Sequence, residues 1–218
     1  MNLRVLPDAD AVARAAADEV IAASAAAGER FAICLSGGST PQATYRLLAG
    51  EDRGRVDWAR WHVFFGDERR VPLDDPRSNY RNACDALLAY VPIPEGQIHA
   101  LTDADQYEGL LRAFFGQSPR FDLLMLGMGD DGHTASLFPG SISLLEDERW
   151  VIAPPDVVQD MARLTLTLPA LNAGSRALFL VAGPGKAGAL RRIQGGDPLP
   201  AGMVRGAEWL VDEAAAGS

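Results

Sequence analysis

The sequence predicts an α/β protein built on one doubly wound, mostly parallel sheet flanked by helices. Three observations predict it. Strand-like apolar runs alternate with helix-like segments along most of the chain. Two of these runs, FDLLMLG at 121–127 and ALFLVAG at 177–183, are apolar without alternation, the pattern of strands buried on both faces. No internal repeat, low-complexity linker or compositional break divides the 218 residues, so they read as one domain, 1–218.

The elements follow in order. Residues 8–27 are rich in alanine and stop at Gly28, which reads as a helix. FAICL at 31–35 is a short apolar strand, and SGGST leads from it into PQATYRLLAG, a helix with Pro41 in its first turn and Gly50 at its end. WHVFF at 61–65 is the next strand and opens into the charged loop GDERRVP. SNYRNACDALLAY at 78–90 reads as a helix capped by Ser78 or Asn79, and 103–115 as another. After FDLLMLG come the strand-like WVIA at 150–153 and RLTLTL at 163–168. ALFLVAG leads into the helix-like KAGALRRIQ, and EWLV at 208–211 closes the series. In Rossmann-like sheets of this kind, ligands bind beyond the carboxyl ends of the strands. The loops directly after strands are therefore where chemistry is expected.

Charge and composition narrow the ligand. The net charge of −9 opposes binding to nucleic acid or an anionic membrane, so neither is expected as a partner. A small anionic substrate stays compatible, provided local cations overcome the global field. No run approaches the ~20 apolar residues needed to span a bilayer. The first residues are broken by Asp8, Asp10, Asp18 and Glu19 and do not read as a signal peptide. Cys34 and Cys84 read as buried thiols rather than a disulfide or metal framework, and the cytoplasm is the expected compartment. Of twenty basic residues one is a lysine, Lys186.

Four loops stand out. Ser36-Gly37-Gly38-Ser39-Thr40 offers two glycines for close backbone approach, two hydroxyls and the positive end of the following helix, which is phosphate chemistry. A plain tight turn with a Ser/Thr cap is the other reading. Gly66-Asp67-Glu68-Arg69-Arg70 places four charges after a buried strand, where a merely solvated loop is the alternative. Gly127-Met128-Gly129-Asp130-Asp131-Gly132-His133 spells G-x-G-x-x-G, but two aspartates would sit where a dinucleotide's pyrophosphate must go. It offers instead a carboxylate, Asp131, two residues before an imidazole, able to fix its tautomer and stabilise its charged form. Gly183-Pro184-Gly185-Lys186 has Leu180 and Ala187 where a Walker A loop needs Gly and Ser or Thr. A lysine at a helix start opposes the helix dipole, which points to an anion held between the two; an ordinary surface lysine is the alternative. There is no G-x-S-x-G elbow, and His62, His99 and His133 lie far apart in the chain, so no metal site is expected.

LSGGSTP, FFGDERRVP, SNYRNA, LLMLGMGDDGHTASLFPG, RLTLTLPALNAG and LFLVAGPGKA, in this order, resemble the 6-phosphogluconolactonases. That family shares a superfamily with the glucosamine-6-phosphate deaminases/isomerases. The resemblance runs from about residue 30 to residue 190 and is most specific at GDDGHTASLFP. It implies cofactor-free, metal-free hydrolysis of 6-phospho-D-glucono-1,5-lactone to 6-phospho-D-gluconate, with a sugar phosphate as small-molecule partner and a monomer or weak homodimer as the working form. It places His133 as general base with Asp131 as its partner. Gly37, Gly38, Ser39 and Thr40 fall in the phosphate loop, and Arg163 and Lys186 at positions that hold the phosphate. Arg69 faces the lactone end, with Asp67 beside it. The deaminase branch is the nearest alternative, but it carries an acid soon after its DGH, and none stands between His133 and Pro139 here. A non-catalytic sugar-phosphate sensor is the alternative of another kind. One departure from the resemblance is the lead-in Gln159-Asp160-Met161-Ala162, in place of a proline-rich stretch before Arg163.

Overall fold

The computed structural model describes residues 1–155 and 161–217; Gln159 and Asp160 of the lead-in to Arg163 thus lie outside the described residues. Nine strands and seven α-helices are described in these segments. In chain order the first half holds β1 (Asn2–Leu6), α1 (Ala9–Ala26), β2 (Phe31–Leu35), α2 (Ser39–Ala49), β3 (Trp61–Phe65), β4 (Asp67–Arg69), α3 (Asn79–Ala83) and α4 (Ala104–Phe115). The second holds β5 (Leu123–Gly127), β6 (Val151–Ile152), β7 (Arg163–Leu166), α5 (Leu168–Leu171), β8 (Ala177–Val181), α6 (Ala187–Gln194), β9 (Glu208–Asp212) and α7 (Glu213–Ala216).

Six strands form one parallel sheet in the order β1-β9-β8-β5-β2-β3. All five residues of β2 and of β8 are buried, as their unbroken apolar runs require. Helices cover the sheet, as the sequence predicts. α1 is capped by Asp8, whose carboxylate accepts the Ala11 N–H at 2.8 Å, and it packs on α2, β8 and β9 through small alanine side chains. The tryptophans are packing residues: Trp61 donates to Ser24 Oγ at 3.0 Å, and Trp209 stacks on Phe179 at 4.0 Å. Cys34 and Cys84 are free thiols. Among the described residues no helix is long and apolar enough to cross a membrane.

The structure departs from the sequence reading in three places. β1, hidden in the lead-in to α1, pairs only with β9 at the sheet edge, so it lacks the buried run that marks the central strands. GDERR is not a plain loop: Asp67–Arg69 form β4, which pairs with β7, and β7 with β6, as a separate three-stranded antiparallel sheet. The helix expected over 78–90 is regular only to Ala83. It then widens into a π turn, closed by the Ala89 N–H on Cys84 O at 3.2 Å, over which Ala86, Leu87 and Leu88 are all buried.

The strand order fixes where a ligand goes. From β2 the chain steps outward to β3, and from β5 it steps the other way through β8 to β9. The reversal lies between the carboxyl ends of β2 and β5, which is where open α/β sheets place their crevice. The small antiparallel sheet supplies a wall to that crevice.

Candidate active site

A cleft of about 210 Å³ opens at this switch point. Its lining includes Ser36, Gly37 and Gly38 after β2, Asp67 and Arg69 of β4, Gly127 to Gly129 and His133 after β5, Arg163 of β7, and Lys186 after β8. The cleft therefore gathers seven of the ten residues singled out from the sequence. Asp131 touches it through His133. Ser39 and Thr40 do not line it: they form the first turn of α2, and Ser39 is exposed. The cap of α2 is Gly38 itself, at φ +113°, so this turn presents its first backbone N–H groups without a side-chain cap.

The loop after β2 is stapled down by Tyr45, whose hydroxyl accepts the Ser36 N–H at 3.0 Å and donates to Ser36 O at 2.8 Å. Gly37 has to be glycine for a steric reason. A Cβ there would lie 2.1 Å from Asn79 Oδ1. Asn79 in turn donates to Asp67 O at 2.9 Å and to Asp67 Oδ1 at 3.1 Å. The other Asp67 oxygen accepts Ser136 Oγ at 2.6 Å. Asp67 is thus gripped on both oxygens while bordering the cleft.

Strand alternation sorts the charges of GDER. Asp67 and Arg69 point to the cleft and Glu68 points away. Glu68 is buried at 2% exposure. It accepts four hydrogen bonds, from the N–H groups of Arg69, Asn79 and Tyr80 and from Ser78 Oγ, at 2.7–2.9 Å. One carboxylate thereby ties β4 to the start of α3, where Ser78 is the cap. Across the small sheet Arg69 pairs in register with Arg163. Two guanidiniums side by side repel, and an anion between or before them relieves that repulsion. Burial, reinforced by the charge of Arg69 and opposed by Asp67, lowers Arg163 below its ordinary value, yet a guanidinium stays charged at neutral pH. Arg69 donates Nη1 to Arg77 O at 2.6 Å, and its buried Nε has no hydrogen-bond partner among the described residues.

The loop after β5 is a tight turn closed by Gly129 N–H to His133 O at 2.9 Å and Gly132 N–H to Gly129 O at 3.0 Å. Gly132 takes φ +87°, a conformation left to glycine. Asp131 Oδ1 accepts the His133 backbone N–H at 3.0 Å and meets His133 Nδ1 at 2.6 Å. A proton held on Nδ1 by this carboxylate leaves Nε2 as the basic nitrogen. Burial acts to raise the Asp131 carboxyl, but the His133 N–H and the imidazole charge outweigh it and hold the pKa below its ordinary value. The ring also leans on Phe138, centroids 4.5 Å apart. Beyond it, Ala135 sits at φ +48°, Thr134 Oγ1 donates to Gly127 O at 2.9 Å, and the Ser136 N–H donates to Thr165 Oγ1 at 3.1 Å.

Gly129 is the floor under the imidazole. A Cβ there would lie 2.1 Å from His133 Nδ1 and 2.7 Å from Asp131 Oδ1. Gly129→Ala therefore displaces the pair; a misplacement of about 1 Å lowers turnover on the order of 10²-fold. The expected result is a folded protein, by thermal unfolding, with kcat reduced by that factor. A variant with native kcat would mean that the imidazole has no fixed role.

After β8, Gly183 at φ +95° donates its N–H to both Asp212 oxygens, at 3.0 and 2.9 Å, which fixes the turn that carries Lys186 to the cleft. Lys186 Nζ lies 2.6 Å from Asp130 Oδ1.

Asn79 and Ser136 border or buttress this site without having been singled out from the sequence. Asn79 lay in SNYRNA as a cap candidate, and Ser136 in HTASLFP; no spacing rule points to either, because both reach Asp67 across long sequence separations. His62 and His99, far apart in the chain, meet at 3.3 Å beside Phe114, outside the cleft. Burial, with the charge of Arg30, lowers His62; burial, with His62 as neighbour, lowers His99 to about 4. Among the described residues no group of three or more His, Cys, Asp or Glu side chains is placed to hold a metal ion.

A parallel α/β sheet whose switch-point cleft joins a histidine–carboxylate pair to three cationic side chains defines a protein equipped for a small anionic ligand. The chain belongs to the family of glucosamine-6-phosphate isomerases/6-phosphogluconolactonase, whose model matches residues 7–211. A rice (Oryza sativa subsp. indica) protein named probable 6-phosphogluconolactonase 3, chloroplastic, is 38% identical over 212 residues, covering 85% of this chain and 65% of the relative. The chain thus spans just under two thirds of that relative's length. The 6-phosphogluconolactonase of Mycobacterium tuberculosis is 37% identical over 241 aligned positions, covering 99% of this chain and 97% of the relative. The crystal structure of 6-phosphogluconolactonase from Thermotoga maritima is similar with a TM-score of 0.86 at 32% identity, covering 97% of this chain and 99% of that one.

Proposed function

We propose that the chain is a 6-phosphogluconolactonase that hydrolyses 6-phospho-D-glucono-1,5-lactone to 6-phospho-D-gluconate. The observation that carries the reading is the two-ended cleft, with an Asp131-oriented imidazole at one end and Arg163 and Lys186 at the other. The names of the relatives support it.

A lactone is an activated ester, so water suffices as nucleophile. His133 Nε2 takes a proton as the water oxygen attacks the carbonyl carbon. Arg69, or backbone N–H groups of the cleft, meets the oxyanion. As the tetrahedral intermediate collapses, the bond to the ring oxygen breaks and that oxygen receives the proton from His133. A positioned general base supplies about 10²–10⁴ in rate, and one oxyanion donor on the order of 3 kcal/mol. Arg163 and Lys186 hold the phosphate, a remote group whose binding positions the reacting end. Gly37 and Gly38 and the N–H groups of Ser39 and Thr40 complete that grip, and Asp67 accepts from a substrate hydroxyl. No cofactor or metal enters the reading. All the residues it uses lie on one chain, in keeping with one functional unit over 1–218.

The test is hydrolysis of freshly made phosphogluconolactone, coupled to a phosphogluconate dehydrogenase and read against the spontaneous rate. A rate proportional to enzyme is expected. Ammonia release from glucosamine 6-phosphate without lactone hydrolysis would place the chain on the other branch of its family; binding of 6-phosphogluconate with no turnover of either substrate would make it a sensor. Within the lactonase reading, Lys186→Ala and Arg163→Ala each raise KM by roughly 10- to 100-fold, the worth of a hydrogen bond to a charged group, with a smaller effect on kcat. Unchanged KM in both variants would move the phosphate elsewhere.

A further inference from the structure

We propose that Asp130 is a built-in counter-ion for Lys186, holding the ammonium while the cleft is empty and yielding it to an arriving phosphate, so that Asp130 sets how tightly the cleft grips its ligand. The proposal rests on the assignment of Lys186 to the phosphate end.

The geometry is one-sided. Lys186 Nζ lies 2.6 Å from Asp130 Oδ1; the lysine side chain is 27% exposed and borders the cleft, while Asp130 is 71% exposed and does not. Among the described residues neither side chain makes another ion pair or hydrogen bond. The approach depends on a bare backbone at Gly185, where a Cβ would lie 2.9 Å from Asp130 Oδ2. The turn that carries Asp130 does not depend on the pair. It is closed by Gly129 N–H to His133 O and Gly132 N–H to Gly129 O, and its imidazole is held by Asp131. Asp130 can therefore swing outward without moving His133. The carboxylate is a monoanion in water, and a phosphate dianion facing Arg163 as well as Lys186 outcompetes it.

A lysine already paired is only partly available, and the apparent affinity falls by the available fraction. For an ion pair this exposed, that factor is at most about fivefold. The same carboxylate recaptures Lys186 when product leaves, so it favours release as much as it opposes binding.

The experiment is a double-mutant cycle with Asp130→Asn, Lys186→Gln and the pair, reading KM for phosphogluconolactone and the inhibition constant of inorganic phosphate. Asp130→Asn is expected to lower both constants by about 2- to 5-fold in the Lys186 background. It is expected to change neither in the Lys186→Gln background, because its action runs through the lysine. Equal effects in both backgrounds would reduce Asp130 to a general field contribution and overturn the proposal, as would no effect in the Lys186 background while Lys186→Gln alone weakens both constants. Unchanged constants in Lys186→Gln alone would instead overturn the phosphate assignment of the lysine, and the proposal with it.

Discussion

His133→Ala lowers kcat for phosphogluconolactone hydrolysis by about 10²–10⁴ and leaves the binding of 6-phosphogluconate nearly unchanged. The size follows from what the substitution removes. Asp131 Oδ1 lies 2.6 Å from Nδ1 and orients the ring; in the proposed mechanism it also stabilises the imidazolium that forms as water is deprotonated. Without the ring, neither attack nor ring-oxygen departure has a positioned proton carrier. The phosphate end, on β7 and the turn after β8, is untouched, so ligand affinity stays. Steady-state kinetics paired with product binding by calorimetry separates the two effects. Native kcat would remove His133 from the reaction, and a loss of affinity equal to the loss of rate would make it a binding residue.

Glu68→Ala unfolds or severely destabilises the protein, although Glu68 faces away from the cleft. The side chain is 2% exposed and serves four donors, three of them backbone N–H groups. Removing the acceptor leaves buried donors without partners, each worth about 1–3 kcal/mol, so a total of at least about 3 kcal/mol is expected after relaxation. That is a large share of the stability of a typical domain. Urea unfolding monitored at constant m-value is the measurement. The damage is also local, because β4 and the start of α3 separate, and with them Asp67, Arg69 and Asn79. A change below 1 kcal/mol would mean that water replaces the carboxylate, and that the wall of the cleft is held by the β4–β7 pairing alone.

These two residues mark how far the sequence could be read. His133 was visible because it follows a strand, β5, whose unbroken apolar run announced it, and ligands gather at such strand ends. The same logic points to Lys186 and the two glycines of SGG, whereas Arg69 and Arg163 stand out only through the family resemblance. Glu68 was not visible: its role comes from β4, three residues long and paired to a strand about a hundred residues away, and a run of charges carries no period of its own. β1 escaped for a related reason, having one neighbour and a half-exposed face. Ser39 and Thr40 do not line the cleft. Their letters suggested hydroxyl contacts, whereas Gly38 takes the cap and turns both side chains into the first turn of α2. The partnership of Asn79 and Ser136 with Asp67 depends on three segments meeting in space, which no local pattern encodes.

In the proposed mechanism one cleft does two things, hydrolysis at His133 and phosphate capture at Arg163 and Lys186. The most direct test compares kcat/KM of the wild-type enzyme on phosphogluconolactone and on unphosphorylated gluconolactone under the same conditions. A preference for the phosphorylated lactone of at least about 10-fold, the worth of one charged hydrogen bond, is expected, with its collapse toward unity in Lys186→Ala combined with Arg163→Ala. Equal values for the two lactones in the wild-type enzyme would contradict it.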